Sequence, residues 1–101
     1  MKNYSKALDL DQDDISILNS YGMALVRLDK FDAGIEKYQI ALKIDPHNYH
    51  ILFNLGQAFE KQSNFERAKH YYTKSLHSNP KFAKAERAIE RANSNLGKKT
   101  A

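Results

Sequence analysis

The chain has 101 residues, 42% of them hydrophobic, with four glycines, two prolines and no cysteine. That length makes one domain the default, and the missing thiols exclude disulfides, cysteine-ligated zinc and thiol catalysis. The net charge of +4 conceals an uneven spread: residues 1–50 carry six Lys/Arg against eight Asp/Glu, and residues 51–101 carry ten against four.

The longest apolar run, Met23-Ala24-Leu25-Val26, falls far short of the ~20 residues that a membrane span needs. The opening MKNYSKALDLDQDD has no apolar stretch leading to a small-residue cleavage site, so it does not read as a signal peptide. A chain without cysteine suits a reducing compartment, and a cytoplasmic location is the expectation. The basic second half could face an acidic partner, although a solvated helix face explains the same charges.

In chain order, the first predicted element is a helix over residues 2–10, carrying Tyr4, Ala7 and Leu8. Asp9, Asp11, Asp13 and Asp14 follow. They do not make a calcium loop, which needs Gly at its sixth position and Glu at its twelfth. Counted from Asp9 those positions hold Asp14 and Ser20, and from Asp11 they hold Ser16 and Gly22. A polar turn, with Asp13 or Asp14 capping the next helix, is the better reading. Leu18, Tyr21, Leu25 and Leu28 then recur at three and four residues, which predicts a helix over 15–28. Ile35, Tyr38, Ala41 and Leu42 predict another over 31–44. Asp45-Pro46 ends it, because proline lacks an amide hydrogen and disfavours helical geometry in the residue before it. Leu52, Leu55 and Phe59 predict a helix over 49–62, and Ala68, Tyr72, Ser75 and Leu76 one over 65–78, closed by Asn79-Pro80. A last helix over 82–96 shows a thin apolar stripe of Ala85, Ala88, Ile89, Ala92 and Leu96. Asn93 to Gly97 reads as an unwinding end, and residues 98–101 as a mobile tail.

These elements repeat. Gly22 and Gly56, Tyr38 and Tyr72, Phe31 and Phe65, Leu18 and Leu52, Leu42 and Leu76, Ala24 and Ala58, and Pro46 and Pro80 all lie 34 residues apart in one register. Run backwards, the same offset takes Tyr38, Ala41 and Leu42 to Tyr4, Ala7 and Leu8. The pattern resembles the tetratricopeptide repeat family, whose signature is W-x2-L-G-x2-Y, then A-x3-F, then P. Residues 15–48 offer Leu18, Tyr21, Gly22 and Leu25, then Gly34, Tyr38, Ala41 and Pro46. Residues 49–82 offer Leu52, Leu55, Gly56 and Phe59, then Ala68, Tyr72, Ser75 and Pro80. The signature tryptophan is leucine in both copies, and Gly34 replaces the first alanine.

The resemblance implies an all-α fold of antiparallel helical hairpins stacked in a right-handed solenoid. It would be a single domain over 1–101, with a half repeat at 1–14, repeats at 15–48 and 49–82, a capping helix at 83–97 and a tail at 98–101. Residue 1 falls where the second helix of a repeat begins. A piece excised from a longer protein is expected, with a natural start on a half repeat as the alternative. The physical logic is steric. A glycine inside a helix costs ~1 kcal/mol against alanine, so Gly22, Gly34 and Gly56 need a close helix approach to justify them. Ala68 sits at the matching small position. Tyr21, Leu25, Tyr38, Leu55, Phe59 and Tyr72 would fill the remaining core.

By the same resemblance the first helix of each repeat lines a concave groove. In the first copy this face holds Ser16, Asn19, Ser20, Met23, Val26 and Arg27. In the second it holds His50, Phe53, Asn54, Gln57, Glu60 and Lys61, and the cap adds Lys84, Arg87, Ala88, Arg91 and Asn95. Asn19, Asn54 and Gln57 offer amides that can pair with a peptide backbone. Met23, Val26 and Phe53 offer apolar seats, and Lys84, Arg87 and Arg91 put positive charge at one end. The family's clamp for chaperone C-terminal carboxylates needs five Lys, Asn and Arg positions. Only Asn54 and Lys84 match; Asn19, Met23 and Ala88 occupy the others, so that form of clamp is excluded.

Other signals are weaker. His47, His50, His70 and His77 include no pair at the i, i+4 spacing of a helical zinc motif. Most aromatic residues fall on core positions, so base stacking is a poor explanation for them. No nucleophile, base and oxyanion site assemble, so no enzymatic activity and no cofactor or metal is expected. The reading is a scaffold that binds a protein or extended peptide, possible acidic partners included, in the groove. One alternative is self-association through the half-repeat edge. A second is polyanion or nucleic-acid binding by residues 67–99.

Overall fold

The computed structural model describes residues 14–100, and every regular element among them is an α-helix. These are α1 (Ile15–Arg27), α2 (Phe31–Ile44), α3 (Tyr49–Lys61), α4 (Phe65–Ser78) and α5 (Ala83–Thr100). The expected half repeat, with Tyr4, Ala7 and Leu8, lies outside the described residues. The chain divides into two compact units at Pro46/His47. The first contains the hairpin α1–α2, and the second contains α3, α4 and α5.

Local chemistry sets the helix ends. Asp14 caps α1, its carboxylate accepting from the amides of Ser16 at 2.9 Å and Ile17 at 3.4 Å. Asn48 caps α3 through Ile51, and Asn64 caps α4 through Arg67. The residues before the two prolines leave helical geometry, Asp45 at φ −136° and Asn79 at φ −139°. Asp29 and Ser63, 34 residues apart, both have φ of 62°. Each closes a Schellman turn. The amide of Lys30 bonds to the carbonyl of Leu25 at 2.8 Å, and that of Asn64 to Phe59 at 2.9 Å.

The small residues lie between helices. A Cβ on Gly22 would stand 2.6 Å from the Tyr38 ring, and one on Gly56 would stand 2.6 Å from the Tyr72 ring. A Cβ on Gly34 would come within 3.0 Å of the Gly22 carbonyl oxygen and 2.8 Å of Val26 Cγ2. In each hairpin one glycine therefore receives the ring of one buried tyrosine, and the first hairpin adds Gly34. Ala68 is fully buried at the position of Gly34. In the second unit Ser75 is also buried, and its hydroxyl donates to the carbonyl of Tyr49 at 2.8 Å. The buried hydroxyl at this small position thus finds its acceptor in the first turn of α3. The face of α5 that packs on α4 is built from Ala85, Ala88 and Ala92, all buried.

Three expectations are corrected. Tyr21 is not core: it is 53% exposed, and its ring lies under the Lys37 ammonium at 5.0 Å. Val26 and Ala88 do not line a groove. Val26 fills the space that Gly34 leaves, and Ala88 belongs to the face packed on α4. Finally, α5 does not unwind at Asn93–Gly97 but continues to Thr100. Gly97 keeps a negative φ and so makes no left-handed stop, and the Asn95 side chain donates to the Arg91 carbonyl at 3.1 Å instead of breaking the helix.

Candidate peptide-binding face

In the second unit, α3 and α5 bring their predicted residues together. His50, Phe53, Asn54, Gln57 and Lys61 recur along one side of α3 at helical spacing. Lys84, Arg87 and Arg91 do the same on α5, and all three are exposed. The two sides meet at Glu60 and Arg91. Arg91 Nε donates to Glu60 Oε2 at 2.5 Å, and its terminal nitrogen donates to Oε1 at 2.8 Å. The Tyr72 hydroxyl donates to Oε1 at 2.5 Å. Gln57, Glu60, Lys61 and Arg91 line an open cleft of about 300 Å³.

The electrostatics follow from these contacts. Hydrogen bonding from Arg91 holds the Glu60 carboxyl below the usual carboxylate range. Partial burial opposes this, and the Tyr72 hydroxyl adds to it. The same pairing pushes Arg91 up, while burial foremost, then the bond to Glu60, pushes Tyr72 up.

Beyond this pair the face is aromatic. The Phe53 ring packs edge-on to Phe82 at 5.2 Å and tilted on Tyr72 at 5.3 Å. Tyr49 and His50 also contact Phe82. Phe53 is thus half-buried in a cluster rather than a free exposed ring. Asn54 and Gln57 are half-buried beside it, and His50 is exposed.

In the first unit, Asn19 and Met23 are half-buried on α1, and Ser20 and Arg27 are exposed. Sequence reasoning misses Phe82, which lies before α5 and outside any repeat position with an assigned role. It places Glu60 on the face but does not find its partnership with Arg91. A signal is present: Glu60 stands 34 residues after Val26, so a charge replaces a buried apolar side chain.

The family model for the tetratricopeptide repeat matches residues 21–92. The chain belongs to the tetratricopeptide repeat family. A relative from Arabidopsis thaliana, the chloroplastic tetratricopeptide repeat domain-containing protein PYG7, is 34% identical over 70 residues. That match takes in 69% of this chain and 23% of PYG7, so the chain spans only a small part of that relative's length. Among solved structures, MamA superposes with a TM-score of 0.83 at 22% identity, over 92% of this chain and 54% of MamA. The first tetratricopeptide repeat domain of Spaghetti (RPAP3), bound to the HSP90 peptide SRMEEVD, gives 0.79 at 23% identity, over 83% and 68%. YrrB, described as having an unusual peptide-binding site, gives 0.81 at 14% identity, over 95% and 50%. These likenesses establish an all-α tetratricopeptide helical-repeat fold.

Proposed function

We propose that this chain is a protein-interaction module whose second unit holds an extended, acidic peptide on the face shared by α3 and α5. The observation that carries this reading is the meeting of three chemistries on one face. An aromatic cluster at Phe53 and Phe82 offers apolar seats. The amides of Asn54 and Gln57 match a peptide backbone. The exposed cations Lys84 and Arg87 favour acidic side chains. Two proteins with the same fold, RPAP3 and YrrB, are described with a bound peptide or a peptide-binding site. Titrating labelled acidic octapeptides into the chain tests it. Phe53→Ala, Asn54→Ala and Arg87→Ala should each weaken binding by roughly three- to tenfold, the range of modest interface contacts. Unchanged affinity in all three would show that this face is not the site.

A second reading, self-association, draws on α1. Ile17 and Tyr21, one turn apart on α1, and Leu28 at its C-cap are 42%, 53% and 66% exposed. Light scattering over a wide concentration range separates the two. A strict monomer at high concentration removes this reading for the isolated chain.

A further inference from the structure

We propose that Glu60 is a built-in competitor for the partner's carboxylates, occupying the guanidinium of Arg91 until an acidic segment displaces it. This rests on the peptide-binding reading above and adds a specificity device to it.

The geometry is that of ligand recognition. Arg91 grips Glu60 through two parallel N–H donors, Nε and a terminal nitrogen. A bound aspartate or glutamate would use the same fork. The side chains differ in exposure: Arg91 is 51% exposed and Glu60 only 18%. The guanidinium therefore reaches outward at the rim of the cleft, with Glu60 behind it. Gln57 and Lys61 line the same cleft. Three residues with donor side chains thus line one cleft, and among the described residues that line it the anion is the chain's own carboxylate.

Architecture alone does not call for that carboxylate. The first hairpin closes with Val26 at the equivalent position, buried against the seam. Glutamate here introduces a charge where the same fold uses a hydrocarbon. Nor does the pair lock α5 in place, since ion pairs with an exposed partner are weak and screened by salt. Exchange of one carboxylate for another at Arg91 is close to balanced in hydrogen bonds. Displacement therefore needs additional favourable contacts, such as Lys61, Lys84, Arg87 or the aromatic seats. A lone carboxylate would be rejected and a run of them accepted.

The test uses the full chain and a fluorescein-labelled octaglutamate peptide, followed by anisotropy at low salt. Glu60→Gln keeps the volume and the acceptor for Tyr72 but releases Arg91. It should bind the peptide roughly three- to tenfold tighter, as expected for one partly exposed charge. Adding Arg91→Gln should erase the gain. A Glu60→Gln chain that binds no tighter, or a gain that survives in the double variant, overturns the proposal. A second measurement needs no substitution. The Arg91 Nε–Hε NMR signal of the unmodified chain should move as octaglutamate is added. A signal that stays fixed while other residues of the face shift makes the pair a simple strut. If Phe53→Ala and Arg87→Ala weaken binding but Glu60→Gln gives no gain, the peptide-binding face stands and the competitor does not.

Discussion

The two hairpins, α1–α2 and α3–α4, are built on one steric plan and differ in what surrounds it. In each, a glycine on the first helix receives the ring of a buried tyrosine on the second, and a left-handed residue closes the turn. Outside that seam they part. Ile51 and Leu55 of α3 are 1% and 0% exposed, whereas Ile17 and Tyr21, at the same repeat positions of α1, are 42% and 53% exposed. Val26 closes the first seam with hydrocarbon, and Glu60 opens the second to Arg91 and Tyr72. The repeat pattern thus encodes the inside of a hairpin. What lies against its outer faces is a separate property, because a repeat completes its burial only with neighbours.

Truncation at the position where burial differs most should break the equivalence furthest. Leu55→Ala removes a fully buried side chain and should cost about 2–5 kcal/mol. Tyr21→Ala at the matching position removes an exposed ring with one cation–π contact and should cost about 0.5–1 kcal/mol. Urea denaturation of both variants measures the contrast. Equal costs would mean that Tyr21 is covered in solution as Leu55 is.

The glycines sharpen what the two hairpins share. In Gly56→Ala the new methyl would meet the Tyr72 ring at 2.6 Å and the Ala68 carbonyl at 3.1 Å. The ring is buried and cannot swing away freely. Overpacking of about 1–3 kcal/mol should outweigh the ~1 kcal/mol that alanine gains in helix propensity. Gly97 has nothing within 4 Å of the same methyl, so Gly97→Ala should stabilise by up to ~1 kcal/mol. Thermal melts should show shifts of opposite sign. A stabilising Gly56→Ala would remove the close approach as the reason for the repeat glycines.

Much of this architecture is legible in the amino-acid sequence, and the limits are physical. The 34-residue register locates four of the five described helices to within one residue at each end, because proline, the turn residues and apolar spacing all act locally. It also places Gly22, Gly34, Gly56 and Ala68 between helices, since only close packing justifies such small residues there. Spacing misplaces Tyr21 because its burial depends on what covers α1, which the pattern within α1 does not reveal. Val26 is wrongly assigned to a groove because a resemblance supplies the face, while Gly34 opposite makes room for it. The pairing of Glu60 with Arg91 joins residues 31 apart on different helices, and no local pattern announces it. The fifth helix outruns its expected end because asparagine and glycine only weaken a helix; they do not stop one without a left-handed turn.

The smallest expected difference between the hairpins concerns acid. Arg91 holds the Glu60 carboxyl below its ordinary value in the folded chain. A carboxylate depressed in this way stabilises the fold fully above its unfolded pKa of about 4.3. The contribution is lost as the pH falls through the lower folded value, since protonation then removes the charge that Arg91 binds. Val26 does not titrate, so the first hairpin should not share this loss. Because Arg91 is half exposed, the effect should stay within the ~1 kcal/mol typical of a surface pair. Melting the chain from pH 7 to pH 3 beside Glu60→Gln isolates it: the variant should start slightly less stable and converge on the parent in acid. Parallel curves at every pH would mean that Glu60 carries no net ionic stabilisation, and the second hairpin would then differ from the first in shape alone.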